Sequence, residues 1–266
     1  MKRKITIKGF SIVELLVAIT ISSLLLLGVT KIFIDTKASY NLREGLSRLQ
    51  ENGRFAMDLA QISFRQTGFK ANGFQANTAA FLADATNYGP ANNNFIAGQV
   101  VAGSEGGAAV PIPVPDTLSF RFQQPSAAPF VIECNPNLPA PLPATTPVVA
   151  NTIHVTANST LNCIDSAGND QQIIDGVENM QVLYGVDSDL DRVADMYIPA
   201  NTVTANGDWP QVVSVRIALL LSTVDSAINI PDATVYNLLG TPVGPFNDSL
   251  RRQVFTTTVA FRNQLP

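Results

Sequence analysis

The chain opens with an almost unbroken apolar run from Phe10 to Thr30, in which Glu14 is the single ionisable side chain. The run can cross a hydrocarbon core of about 30 Å as a helix that rises about 1.5 Å per residue. Residues 1–9 precede it with four basic side chains and no acidic one. This pattern predicts a membrane-spanning helix with its N-terminus in the cytoplasm.

The apolar spacing continues beyond this run. Residues at three-, four- and seven-residue intervals form one face, and charged residues cover the other side, as in an amphipathic helix. The recurring apolar and small residues are Leu42, Leu46, Leu49, Ala56, Ala60 and Ser63. No proline precedes Pro90. We therefore predict one continuous helix from about Phe10 to about Gln66, ended by Thr67-Gly68.

Later segments carry the alternating or continuously apolar pattern of β-strands. They are residues 117–122, 152–156, 173–186, 212–221 and 251–261. Residues 212–221 are apolar on both faces, which predicts a central strand. Residues 68–115 show little periodicity and are predicted to be loop, and the five prolines of 136–147 exclude a central strand there. A long helix followed only by strands predicts an α+β fold, with an antiparallel sheet packed on the helix.

Gly9 and Glu14 distinguish this N-terminus from an ordinary signal peptide. A secretory signal is cut after its apolar region at small residues. Residues 30–34 offer no such site, whereas Gly9 lies before the run. Cleavage after Gly9 would keep the apolar helix and free the amino group of Phe10, one helical turn from Glu14. A carboxylate inside a bilayer is costly and marks a function, so we expect an amine of a neighbouring subunit to pair with it.

The segment Gly-Phe-Ser-Ile-Val-Glu at residues 9–14, after a short basic leader, resembles the type IV prepilin signature. The resemblance implies cleavage between Gly9 and Phe10 by the prepilin peptidase, N-methylation of Phe10, and use of Glu14 in filament assembly. It also implies the type IV pilin fold. The implied organisation is a leader peptide at 1–9, a transmembrane and filament-core helix at 10–34, the amphipathic half of the same helix at 35–66, and a periplasmic or extracellular β-rich domain at 67–266.

Three further stretches resemble the PilW group of minor pilins, namely residues 49–56, 184–187 with the aspartates that follow, and 251–263. The resemblance implies a subunit of a priming or tip complex that contacts other minor pilins, the major pilin and often a large tip adhesin. It implies support for pilus assembly, twitching motility and cell adhesion. The chain would sit in the bacterial inner membrane and then in the pilus (fimbrium). A minor pseudopilin of a type II secretion system and a ligand-binding module at the pilus tip stay open as alternatives.

Composition limits the other functional classes. The net charge is −4 and only 14% of residues are charged, so a nucleic acid is not an expected partner. Hydrophobic residues make up 46% of the chain, which is too many for a disordered tail. The sequence contains no Gly-x-Ser-x-Gly motif, no phosphate-binding glycine loop and no histidine-based metal pair. We therefore expect neither enzymatic activity nor a required cofactor.

The two cysteines, Cys134 and Cys163, are predicted to form a disulfide, because the exported part of the chain meets an oxidising environment. The chain-entropy model gives such a bond about 3 kcal/mol of stabilisation. The alternative is a metal site that adds His154, the single histidine, although these spacings fit no zinc pattern. We expect His154 to be a surface residue of a strand.

The acidic segment 187–195 is a candidate calcium loop. Its four aspartates take positions 1, 3, 5 and 9 of a calcium-loop numbering, and a backbone carbonyl falls at position 7. The ligands would come from Asp187, Asp189, Asp191, Val193 and Asp195. Arg192 stands where an EF-hand has glycine, and Ile198 stands where it has glutamate. Calcium is the one candidate cofactor, and a solvated acidic turn is the alternative.

Overall fold

The fold consists of one long helix and a β-rich unit, seen in a computed structural model. The described residues are 9, 11–84, 94–107, 112–124, 148–224 and 231–264. The chain divides into two compact units, Met1–Glu44 and Gly45–Pro266. The helices are α1 (Ile12–Arg65), α2 (Asn77–Ala80) and α3 (Ala200–Asn206). The strands are β1 (Val101–Ser104), β2 (Thr117–Gln123), β3 (Val148–Val155), β4 (Thr160–Ile164), β5 (Asp170–Asp175), β6 (Val177–Val186), β7 (Met196–Ile198), β8 (Val212–Ser222), β9 (Tyr236–Leu238), β10 (Thr241–Val243) and β11 (Arg252–Ala260).

Helix α1 confirms the prediction of one continuous helix from the apolar run into the amphipathic stretch. Its end is also the predicted one. Gly68 has φ +74°, a conformation that glycine adopts without the steric cost of a side chain, and its N–H donates to the carbonyl oxygen of Arg121 at 3.0 Å. Among the described residues, α1 is the one helix long and apolar enough to span a membrane.

The second unit contains two antiparallel sheets and a hairpin. The five-stranded sheet has the order β1-β2-β3-β4-β5, and the four-stranded sheet has the order β11-β8-β6-β7. Strands β9 and β10 form the hairpin. The predicted central strand is confirmed, because β8 lies between β11 and β6 and is buried along most of its length.

One hydrophobic core joins the second half of α1 to both sheets. The helix buries a face made of Leu49, Gly53, Ala56, Met57, Ala60, Ser63 and Phe64. Phe64 packs edge-on against Phe120 of β2, with ring centroids 4.8 Å apart. The buried face of the helix begins later than the sequence predicts, because Leu46 is 37% exposed. It also includes Met57 and Phe64, which the apolar spacing did not indicate.

The structure corrects three sequence-based predictions. Residues 173–186 form two strands, because Gly176 breaks them with φ +78°. Residues 68–115 are not all loop, since they contain α2 and β1. The antiparallel strands are divided between two sheets instead of forming one.

Candidate assembly segment and acidic loop

Glu14 lies in the first turn of α1 and is exposed. The turn begins with a hydrogen bond from the Leu15 N–H to the Ser11 carbonyl oxygen at 3.1 Å. A carboxylate in the first turn interacts favourably with the helix dipole, by about 0.3–1 kcal/mol. Its neighbours Val13 and Leu15 are also exposed. Glu14 is thus the single acidic group on an apolar helical surface that runs to Lys31.

The predicted cleavage site is only partly within the described residues. Gly9 is exposed, and a Cβ atom placed on it would meet no atom within 4 Å. Phe10 and residues 1–8 lie outside the described part of the chain. Cleavage between Gly9 and Phe10 and methylation of Phe10 therefore stay predictions.

The acidic loop connects β6 to β7 and is fixed at both ends by backbone hydrogen bonds. The Asp187 N–H donates to the Gln211 carbonyl oxygen at 3.0 Å, and the Asp195 N–H donates to the Val186 carbonyl oxygen at 2.9 Å. The side chain of Asp187 turns into the loop. It is 3% exposed and accepts the N–H groups of Asp191 and Arg192, at 3.2 and 2.8 Å.

The loop brings together three of the four predicted carboxylates. Oxygen atoms of Asp187, Asp189 and Asp195 lie within 4.8 Å of one another, and this group does not include Asp191. The Asp191 carboxylate instead accepts the Val193 N–H at 2.8 Å. The site is thus smaller than the sequence pattern predicted.

Arg192, the residue that weakened the resemblance to a calcium loop, has φ +78°. This is the left-handed backbone conformation that favours glycine. Leu190 shares it, with φ +64°. The chain therefore turns sharply at Arg192 without glycine, so the departure in sequence has not removed the turn.

Electrostatics distinguish the carboxylates of the loop. The pKa of Asp189 is raised. The Asp191 N–H lowers it, but a small loss of hydration and the charges of Asp191, Asp195 and Asp187 together outweigh that hydrogen bond. The pKa of Asp195 is lowered, chiefly because Ser188 donates both its hydroxyl and its N–H to one carboxylate oxygen, at 2.6 and 2.8 Å. The spacing of the aspartates did not indicate a role for Ser188, although a serine between two aspartates is a common turn residue.

The cysteine and histidine predictions have different outcomes. Cys163 is buried on β4, and the described residues include no free cysteine. Cys134 lies outside the described residues, so its pairing with Cys163 stays a prediction. The expectation of a surface His154 is wrong: it is 8% exposed on β3, and its Nε2 lies 3.3 Å from Asp170 Oδ1.

Comparisons with known proteins give matches at both ends of the chain. The prokaryotic N-terminal methylation motif matches residues 6–30. The type IV pilus-assembly protein W (PilW) family matches residues 151–263, a region that includes the acidic loop and β11. No curated protein matches the chain in sequence.

Among solved structures, the chain is similar to a type IV-like pilin from Thermus thermophilus. The two share 12% identity and a TM-score of 0.45, over 82% of this chain and 98% of that protein. Helix α1 packed on antiparallel sheets confirms the predicted α+β architecture. The N-terminal motif and the PilW match together support a PilW-like minor pilin with a role in type IV pilus assembly.

Proposed function

We propose that this minor pilin joins the priming or tip complex of the pilus, together with other minor pilins, the major pilin and a large tip adhesin. The observation that carries the proposal is the exposed apolar surface of α1 with Glu14 as its single acidic group. Such a surface is stable in lipid or against other apolar helices, and not in water. In this role the chain would support twitching motility and adhesion.

Assembly would proceed from the membrane. The prepilin peptidase cuts between Gly9 and Phe10, and the helix waits in the inner membrane with its β-rich unit on the periplasmic side. Glu14 then attracts the amino group of Phe10 from an adjacent subunit. A charge pair in a low-dielectric environment is strong enough to set the register of two helices. The role is structural, and none of these steps requires catalytic activity from this chain.

A single isosteric substitution tests the role of Glu14. We expect the Glu14→Gln chain to be cut and inserted normally but to fall about tenfold or more in sheared pili, as the loss of an ion pair in a low-dielectric site predicts. The measurement is quantitative immunoblotting of sheared and membrane fractions. Glu51→Gln is the matched control, because Glu51 is an exposed acid of the same helix outside the apolar run. Equal recovery of Glu14→Gln and wild type in the pili would refute this role.

We also propose that the acidic loop binds calcium. Three carboxylates within 4.8 Å support the proposal, since hard oxygen ligands suit this ion and like charges at this distance repel one another without a cation. Asp187, Asp189 and Asp195 would hold the ion, and Asp191 and the Val193 carbonyl are the remaining candidates. Bound calcium would stiffen the connection between β6 and β7 and would supply no chemistry.

Calorimetric titration of the detergent-solubilised chain tests the calcium proposal. We expect calcium, and not magnesium, to bind and to raise the unfolding temperature, because magnesium demands a stricter octahedral geometry. Asp189→Asn should abolish binding. Asp175→Asn, which changes an exposed acid of β5, is the control that should leave it unchanged. If wild type and Asp189→Asn take up calcium equally, the ion does not use this loop.

A further inference from the structure

Strand β11 is an open edge of the four-stranded sheet. It pairs with β8 along all nine of its residues, with a continuous register from Arg252–Ser222 to Ala260–Ser214. In the order β11-β8-β6-β7 it has a neighbour on one side only. Its other side meets no strand among the described residues.

The hydrogen-bond pattern shows which backbone groups face outward. The Thr223 N–H donates to the Arg251 carbonyl oxygen at 2.9 Å, and the Phe261 N–H donates to the Val213 carbonyl oxygen at 2.8 Å. Because paired and unpaired residues alternate in an antiparallel ladder, odd-numbered residues of β11 bond to β8. Even-numbered residues therefore point their N–H and C=O groups outward. Within the uncharged segment 253–260 they are Val254, Thr256, Thr258 and Ala260.

The other sheet edges carry the features by which proteins prevent pairing with another chain. Strands β7 and β1 have only three and four residues. Strand β5 has an aspartate at each end, and its pairing with β4 is interrupted by a register shift. Strand β11 is long and unbulged, and residues 253–260 contain no proline and no charged side chain. Among the described residues, none of these features protects this edge, where Thr256, Thr258 and Ala260 are exposed.

The open edge has basic surroundings on an acidic protein. Arg251 and Arg262 are exposed at its two ends. Helix α1 runs over the same strand, since the Gln61 Nε2 donates to Thr257 Oγ1 at 3.2 Å. Arg54 and Arg65 are exposed and lie seven residues before and four residues after Gln61, so they share its side of the helix. Two arginines therefore lie at the ends of the edge and two share the side of α1 that contacts β11, against Asp58 as the acid of the same helical stripe.

We propose that β11 is an acceptor edge, to which a partner protein adds an extended segment flanked by carboxylates. Backbone hydrogen bonds to the four outward-facing residues would provide the pairing, and the arginines would select an acidic segment. A second copy of this chain does not fit. Antiparallel pairing of two β11 strands brings the exposed Arg251 of each copy beside the exposed Arg262 of the other, and like charges opposite one another are destabilising.

Two synthetic peptides test the acceptor edge with the full chain in detergent micelles. One is Asp-Thr-Val-Thr-Val-Thr-Val-Thr-Glu, which has the nine-residue length of β11, and the other carries lysine at both ends. The measurement is amide hydrogen exchange at residue resolution. We expect the acidic peptide to slow exchange at Val254, Thr256, Thr258 and Ala260, with an apparent affinity about tenfold above that of the basic peptide.

A pair of variants at one position separates backbone from side-chain effects. Thr256→Pro removes an outward N–H, which an edge strand tolerates, and should abolish protection by the acidic peptide. Thr256→Ala keeps the N–H and should bind as wild type does. Equal protection by both peptides, no protection by either, or binding that persists in Thr256→Pro would overturn the proposal. So would concentration-dependent protection of the same amides without peptide, which would indicate self-pairing. None of these readouts depends on pilus assembly.

Discussion

Gly53 of α1 lies directly against the ring of Phe255 on β11. A Cβ atom at position 53 would come 2.2 Å from Phe255 Cζ and 2.4 Å from Cε1 and Cε2. The small residue therefore has a packing function, because it lets the helix approach the edge of the four-stranded sheet. This close approach explains a glycine in the middle of a helix, where it costs about 1 kcal/mol relative to alanine.

We expect Gly53→Ala to destabilise the β-rich unit by about 1–2 kcal/mol, since overpacking outweighs the gain in helix propensity. The readout is the free energy of unfolding by denaturant. The matched control is the same substitution in a Phe255→Ala background, where the ring is gone and Gly53→Ala should stabilise by about 1 kcal/mol. A destabilisation that is the same in both backgrounds would show that the ring is not its cause.

Arg252 is the centre of a buried ionic network on the other face of β11. Its side chain is 1% exposed. Its Nη1 donates to Asp248 Oδ1 at 2.7 Å and to Asp232 Oδ2 at 3.3 Å. Its Nη2 donates to Glu178 Oε1 at 2.9 Å. The guanidinium also lies 3.7 Å from the centroid of the Phe246 ring. The network connects β6, β11 and the segment that carries the β9–β10 hairpin.

We predict that Arg252→Met costs about 3–5 kcal/mol, because it leaves buried carboxylates without a cation. The exposed Arg251→Met is the control and should cost less than about 0.5 kcal/mol. Thermal unfolding of both variants provides the measurement.

The pKa of Asp248 is lowered mainly by its hydrogen bond from Arg252. The stabilisation by this ion pair is therefore present above the ordinary aspartate pKa and is lost as the pH falls through the lowered value. A loss that does not shrink at low pH would argue against the ionic cause.

Tyr184 buries its hydroxyl without a hydrogen-bond partner among the described residues. The side chain is 1% exposed and packs edge-on against Trp209, with centroids 4.9 Å apart. Tyr184→Phe should therefore be neutral or stabilise by up to about 1 kcal/mol, because it removes an unsatisfied polar group. Tyr236→Phe is the contrasting variant. Its hydroxyl donates to Asp232 Oδ2 at 2.7 Å, so we expect a loss of about 1–2 kcal/mol. Denaturant unfolding gives the free energy of unfolding of both variants. An equal loss of stability in both would contradict the finding that the Tyr184 hydroxyl is unpaired and the Tyr236 hydroxyl is paired.

The sequence was sufficient for features that depend on periodicity. A run of apolar residues fixed the position of α1, alternation located β2 and β11, and a continuously apolar stretch correctly predicted that β8 is central. Glu14 stood out because it is the single ionisable residue of its run. In each case the signal is local, since neighbouring residues of one element carry it.

Features that depend on contacts between distant segments were not predictable in this way. Gly176 could have been an ordinary strand glycine, and its positive φ arises where β5 leaves one sheet and β6 enters the other. His154 was misplaced because β3 is buried at every position from Val149 to His154, on both faces, and the alternating pattern of the strand does not show that both faces are covered. Arg252 reaches carboxylates up to 74 residues away in the chain, and no spacing rule connects them.

Asp116 gives the last prediction, on pH dependence. It is buried, accepts the N–H groups of Gly106 and Val182 at 2.8 Å each, and so holds the β1–β2 connection to β6. Its pKa is raised to about 6, chiefly by burial and further by the charge of Glu105, against the lowering effect of the two N–H groups. The folded state thus binds this proton more tightly than the unfolded state. The stabilisation is fully present below the ordinary value of 3.8 and is lost as the pH rises through about 6.

We expect Asp116→Asn to remove this pH dependence. The free energy of unfolding of the variant, minus that of wild type, should rise between pH 4 and pH 8 by up to about 3 kcal/mol, since a pKa unit corresponds to about 1.36 kcal/mol. The carboxylates around Arg252 titrate in both proteins and cancel in this difference. Asn cannot accept both N–H groups, so the variant also carries a constant loss that does not vary with pH. A difference that stays flat from pH 4 to pH 8 would mean that the Asp116 carboxyl titrates as it does in the unfolded chain.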